Sequence, residues 1–259
     1  MPDERLSRFH GWRRALGLSL CLFIAAAAAS PPETGSAEEA GARELPLAIP
    51  LHEAVYHASV RRIPVRAGLR LEQQGERIFL YRSWVEPRGL LGFVRRDVSE
   101  SSLVRVDAEG EIVPLSYRRR DDFSGRGSDM RFDPINGKVH IDYRGEQTTT
   151  EWEPGIYDLL SLRLVLANDL AQGRLRDVYH VIDDRARVEE AEVEVSGPEM
   201  LRTPIGELET MRLEYTNHRR DRRFKLWIAT EMDAALVKLE QYEEGRLRGS
   251  LNIVEYRRL

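Results

Sequence analysis

One stretch limits the fold more than any other. Residues 187–229 read RVEEAEVEVSGPEMLRTPIGELETMRLEYTNHRRDRRFKLWIA. Ala191, Val193 and Val195 alternate with Glu190, Glu192 and Glu194, and Met211, Leu213 and Tyr215 alternate with Arg212 and Glu214. Phe224, Leu226 and Ile228 alternate with Arg223, Lys225 and Trp227. A period of two sends successive side chains to opposite faces, so each run has one apolar and one wet face. Thr203-Pro204-Ile205-Gly206 and Asn217-His218-Arg219-Arg220-Asp221 supply the turns between runs. These are antiparallel strands with one face on a core and one in water. The charged outward positions also exclude an outer-membrane barrel, whose lipid-facing side must be apolar.

The N-terminus reads differently. Arg5, Arg8, Arg13 and Arg14 precede an apolar stretch from Ala15 to Ile24 and the alanine run Ala25 to Ala29. A charged head, a short apolar segment and small residues at its exit describe a secretory signal peptide over residues 1–29, cut before Ser30. The apolar stretch is shorter than the ~20 residues that span a bilayer, and no later run is long enough either. Leu20 precedes Cys21 where a lipoprotein signal needs a small residue, so Cys21 belongs to the discarded segment. The exported chain then carries no cysteine and relies on its core rather than on disulfides. Removing residues 1–29 takes away four basic and two acidic residues, moving the formal charge from −4 to −6. A mildly acidic chain has no global attraction to nucleic acid or anionic lipid. The expected location is periplasmic, and the exported chain is not expected to be an integral membrane protein. Residues 30–50, rich in Pro, Gly, Ala, Ser and Glu, read as a flexible linker ahead of one β-rich domain over residues 51–259.

Within that domain further strand runs begin at Glu53, Val65, Arg77, Ser102, Ile112, Met130, Val139, Gln147 and Asp177. Asp107-Ala108-Glu109-Gly110 and Asp133-Pro134-Ile135-Asn136-Gly137 are hairpin turns, and Leu236 to Tyr256 forms the closing hairpin. Gly89 to Val94 reads as a short helix or a covering loop. Tyr157 to Leu170 is the one convincing helix, with Asp158 or Ser161 as its cap and Gly173 at its end. Leucine on most of its sides makes it a buried helix. Ten to twelve strands and one helix, without βαβ alternation, give a mainly β fold. The expectation is a single strongly curved antiparallel sheet, or partly open β-barrel, wrapping the buried helix. A two-sheet sandwich is the alternative.

Several segments stand in a familiar order. They are Asp107-x-x-Gly110-x-Ile112-x-Pro114-x-x-Tyr117, Tyr157-Asp158-Leu159-Leu160-Ser161-Leu162, Gly197-Pro198-Glu199-Met200-Leu201, Thr203-Pro204-Ile205-Gly206-Glu207-Leu208 and Leu226-Trp227-Ile228-Ala229. Together they resemble the bacterial exported family catalogued as domain of unknown function 3108, over residues from about Leu51 to Tyr256. The resemblance implies a periplasmic protein with a curved sheet around a helix, similar to the folds of lipoprotein carriers. It implies no activity and no catalytic residues. After Ala229 the chain departs from the family pattern, since Thr230 to Leu236 lacks the usual Leu-Pro.

The chemistry-bearing residues point away from catalysis. No two histidines stand at a metal-binding spacing, and no G-x-S-x-G elbow, Walker loop or G-x-G-x-x-G is present. Neither a cofactor nor a metal is expected. Asp121, Asp122 and Asp129 beside Arg118-Arg119-Arg120 read as a solvated charge cluster. The alternating runs supply more inward apolar side chains than one helix need cover, so the concave face is expected to bind an apolar or amphiphilic envelope molecule. Leu213, Tyr215, Leu226 and Ile228 are placed at that pocket, with Arg219, Arg220 and Arg222 at its rim. The expected partner is a lipid, an acyl chain or an envelope protein. The alternative is an assembly factor whose interior the helix fills.

Overall fold

Alternation carries through nearly the whole chain, and strands follow it. The computed structural model describes residues 47–87, 97–122 and 124–259, apart from the side chains of Arg126 and Arg220. The expected signal peptide, most of the linker and the Gly89–Val94 segment lie outside those residues. Eight strands come first: β1 (His52–Val60), β2 (Ile63–Gly75), β3 (Ile78–Pro87), β4 (Val98–Val106), β5 (Ile112–Asp121), β6 (Arg126–Asp133), β7 (Lys138–Tyr143) and β8 (Glu146–Glu151). Then come β9 (Ile156–Tyr157), helix α1 (Ser161–Ala171), β10 (Val178–Ile182), β11 (Val188–Thr203), β12 (Gly206–Asn217), β13 (Arg222–Ala229), β14 (Ala235–Glu243) and β15 (Arg246–Arg258).

Among the described residues all fifteen strands form one sheet in the order β8-β7-β6-β5-β4-β3-β2-β1-β15-β14-β13-β12-β11-β10-β9. Two meanders therefore meet where β1 pairs with β15. The sheet is large, open and curled, with its two edge strands successive in the chain. This is the curved-sheet architecture rather than a sandwich. It has more strands than the ten to twelve expected, among them two-residue β9, which is too short to show any period.

One expectation fails in an informative way. β9 and β10 pair in parallel, Ile156 beside His180 and Tyr157 beside Val181, with α1 as the crossover between them. A parallel pair needs such a crossover, so the chain does contain one small βαβ unit. Pairing of Tyr157 into β9 also delays the helix, which starts at Ser161 rather than Tyr157. Asp158 still performs the capping role. Its Oδ1 accepts the backbone N–H groups of Leu160 at 2.9 Å and Ser161 at 2.8 Å. Its Oδ2 accepts the Ser102 and Ser161 hydroxyls, both at 2.7 Å. Burial raises the Asp158 pKa, and those bonds pull against it. Gly173, in the left-handed region at φ +66, follows the helix and donates to Leu170 O at 3.0 Å.

The inward rows of the sheet close over α1. Leu162, Leu164 and Leu166 are fully buried there, among Tyr56, Leu71, Phe79, Leu213 and Leu226. The core also takes Leu47 and Ile49, which the sequence placed in the linker. Ala48 N–H donates to Asn168 Oδ1 on α1 at 2.9 Å, so packing begins four residues before Leu51. Val195, expected inward, is exposed. The β11–β12 pairing shifts register just after it, between Val195 and Pro198. A bulge there bends the strand and breaks the alternation. Trp227 occupies the outer face, as its phase implies. It is covered by Lys238 at 4.1 Å from its ring and bonded to Glu199 Oε2 at 3.1 Å.

Candidate functional site

Antiparallel order sends alternate turns to opposite ends of the sheet. The turns after β1, β5, β7, β10, β12 and β14 therefore gather at one rim. Two adjoining cavities open there. The inner one, about 240 Å³, is lined by Leu162 and Arg163 of α1, Tyr215, Phe224, Val181 and Ala191, among others. The outer one, about 460 Å³, is lined by Ser128, Tyr143, Asp184, Arg185, Arg187 and Glu243, among others. Arg119, Leu159 and Arg222 belong to the walls of both.

Charge is dense and largely paired. Glu100 is the centre of the inner network. It accepts the Tyr117 hydroxyl at 3.0 Å and the Ser83 hydroxyl at 3.3 Å, with Arg119 at 3.8 Å and Arg163 at 4.0 Å. Burial, reinforced by the Glu100 charge, raises the Tyr117 pKa far above its usual value. Burial acts against the Arg163 charge, but Glu100 and the neighbouring tyrosines outweigh it, and its pKa rises. Tyr215 is pushed up to about 12, mainly by burial. Asp183 is held by Arg187 at 2.5 Å and by the backbone N–H groups of Arg185 and Arg187 at 2.8 and 2.9 Å. Arg222 grips Glu243 through Nε at 3.1 Å and Nη2 at 3.0 Å, which lowers the Glu243 pKa. Among the described residues, three buried polar atoms on these walls lack a hydrogen-bond partner: Arg163 Nε, Ser128 Oγ and Asp184 Oδ1. Buried groups of this kind normally find one.

The residues named from sequence divide. Tyr215 and Arg222 line the inner cavity. Leu226 and Ile228 lie against a remnant of only about 10 Å³, beside Leu164, Leu69 and Leu236. Leu213 is fully buried and lines none of these cavities. Leucine and isoleucine here are filler, because α1 reaches their side of the interior. Arg219 is exposed in the short 3₁₀ turn His218–Arg220, away from the cavity walls. The backbone of Arg220 lies in the same turn. Sequence reasoning missed Arg119, Arg163, Glu100, Asp183, Asp184 and Glu189. One signal was available: Arg163 interrupts the leucine-rich helix SLRLVLANDLA.

The charge cluster expected at the surface divides: Arg119 and Asp121, 3.4 Å apart, line the outer cavity, and the rest stays in solvent. Asp129 bridges Arg118 at 2.7 Å and Arg120 at 2.8 Å in a solvated cluster. Among the described residues no three His, Cys, Asp or Glu side chains converge as metal ligands, and no helix is long and apolar enough to cross a membrane.

The family model described as "Protein of unknown function (DUF3108)" matches residues 55–245, most of the chain. The chain belongs to this family. No curated protein matches it. Among solved structures, a β-barrel-like protein of domain of unknown function DUF1849 from Brucella abortus is 11% identical, with a TM-score of 0.51. That alignment covers 82% of this chain and 98% of the other. It supports a shared fold and nothing finer. A candidate exported protein with a YmcC-like fold from Bacteroides fragilis aligns at 10% identity and a TM-score of 0.30, over 80% of this chain and 95% of its own.

Proposed function

We propose that the chain is a non-enzymatic protein of the cell envelope, exported to the periplasm, that binds an amphiphile in the cavities at the Arg222 rim. The observation that carries this reading is the pair of adjoining cavities that α1 leaves unfilled, the inner one walled by apolar and charged side chains together and the outer one mostly polar. An apolar portion suits Leu162, Val181, Ala191 and Phe224, and a charged head suits Arg119, Arg163 and Arg222. Specific ligand sites are concave and mostly apolar, with few polar groups fixing orientation. The wall charges favour an amphiphile over a purely apolar ligand.

The test is native mass spectrometry of protein isolated from envelopes without detergent, beside displacement of an apolar dye. A bound amphiphile is expected. Arg163→Gln should weaken displacement by tenfold or more, since a hydrogen bond to a charged group is worth about 1.5–3 kcal/mol. Circular dichroism checks that the variant folds. The filled half around Leu226 and Ile228 favours a second reading, an assembly factor acting through protein contacts. Protein that arrives empty and binds no probe would leave that reading in place of the first.

A further inference from the structure

Beside the cavity mouth, two hairpin turns lie next to each other because β1 pairs with β15. Val60 stands opposite Gly249, and Arg61 N–H donates to Arg248 O at 2.7 Å. The β1–β2 turn is Val60-Arg61-Arg62-Ile63, and Arg246-Leu247-Arg248 opens β15 after the other turn. An open hollow of about 750 Å³ lies between them, lined by Ser59, Arg61, Arg62, Arg246, Leu247 and Arg248.

Three features of this patch stand together. Val60, Ile63 and Leu247 are apolar yet 47%, 52% and 50% exposed. Arg61, Arg62 and Arg246 are exposed and belong to no ion pair among the described residues, whereas Arg248 approaches Glu243 and Glu244, each at 3.7 Å. Arg61 and Arg62 both adopt positive φ, 50° and 70°. A two-residue hairpin with two positive φ values favours Asn-Gly, so arginine is a poor choice there for folding alone.

We propose that this rim docks on an anionic membrane surface. Arg61, Arg62 and Arg246 contact lipid phosphates, and Val60, Ile63 and Leu247 enter the headgroup layer. Unpaired cations around short apolar side chains match the two attractions that hold peripheral proteins on anionic bilayers. The patch is made of turn tips, with no free strand edge to pair with a peptide, which favours a lipid surface over a protein partner. The docking does not depend on the cavity holding an amphiphile.

Co-sedimentation with phosphatidylglycerol-containing vesicles, set against pure phosphatidylcholine vesicles, tests it on protein isolated from envelopes. Binding should be confined to the anionic vesicles and weaken with salt. Each arginine removed should weaken it about fivefold, and Arg61→Ala, Arg62→Ala and Arg246→Ala together about a hundredfold. Arg61→Asn with Arg62→Gly suits the turn better than the native pair, so its melting temperature should hold or rise while binding falls about twenty-five-fold. Leu247→Trp should shift its emission to the blue on anionic vesicles. Arg163→Gln should bind vesicles like the wild type, which separates this docking from the cavity reading. Undiminished binding of the triple variant would overturn the proposal. So would a Leu247→Trp probe that stays in water, or binding of soluble polyglutamate in place of vesicles.

Discussion

The two sides of the interior share one helix and differ in what faces it. On one side Leu164 and Ala167 of α1 meet Ile49, Leu69, Leu226, Ile228 and Leu236, and only about 10 Å³ remains. On the other, Leu159, Leu162 and Arg163 face Arg119, Arg222 and the carboxylates of Glu100, Asp183 and Glu189, and about 240 Å³ remains before the mouth. Apolar side chains of similar size interdigitate to crystal-like density. Long charged side chains are held by their ion pairs at set distances and cannot collapse onto one another. Arg163 reaches both sides, so the two differ in the charges that face α1 from the sheet, which are dense around the cavity and sparse around the filled half.

The largest effect tests whether α1 is common to both sides. Leu166 is completely buried, so Leu166→Asp sets an unpaired carboxyl in the core. That costs several kcal/mol and should leave the domain unfolded in circular dichroism. A native melting curve would place the helix outside the core. The next effect separates the sides. Leu164→Ala on the filled side should cost about 2–5 kcal/mol in denaturant unfolding, because the surroundings cannot close the gap. Leu159→Ala, half-buried at the wall of both cavities, should cost well under half as much. Equal losses would mean that the open side is as tightly packed as the other.

Most of the architecture was readable from period two. Rows such as Leu69-x-Leu71 and Leu226-x-Ile228 point inward because nothing else satisfies one apolar and one wet face. The βαβ unit was not readable, since two residues of β9 show no period and their parallel pairing is fixed only by the helix that follows. Leu47 and Ile49 were hidden by the Pro- and Glu-rich residues before them. The site was legible only in part. Alternation gave the inward position of Tyr215, and the clustered arginines drew attention to Arg222. Glu100 and Arg119 are cross-strand partners on β4 and β5, whereas Asp184, in the turn after β10, joins Arg119 at the outer cavity only through closure of the sheet.

A smaller effect concerns pH and belongs to the filled side. His52 lines it, stacks on Tyr256 at 5.6 Å, and its Nδ1 lies 2.9 Å from Pro50 O. Burial lowers its pKa below 6.5, while the bond to Pro50 and the charge of Asp233 oppose that fall. The unfolded chain thus binds a proton that the folded chain resists. The stability His52 contributes is full above about 6.5 and is lost as the pH falls through the lowered folded value. One group can supply a slope of at most about 1.4 kcal/mol per pH unit. His52→Gln should flatten the stability curve below 6.5, measured by urea unfolding across that range. An unchanged difference between the two curves would show that the His52 ring titrates as freely folded as unfolded.

The smallest effect sharpens the contrast within a single arginine cluster. Arg219 and Arg222 are three residues apart, yet only Arg222 turns inward, because it opens β13 opposite Asn217 while Arg219 stays in the exposed turn. Arg219→Ala should change stability by no more than about 0.5 kcal/mol, as exposed substitutions do, and should leave dye displacement unaltered. Arg222→Ala removes the forked contact to Glu243, leaving that carboxylate with Arg248 at 3.7 Å, and strips a wall shared by both cavities. Its effect on displacement should exceed that of Arg219→Ala by about tenfold or more. If the two variants weaken displacement equally, the cluster acts through its summed charge at the rim, and the cavity walls do not select the ligand.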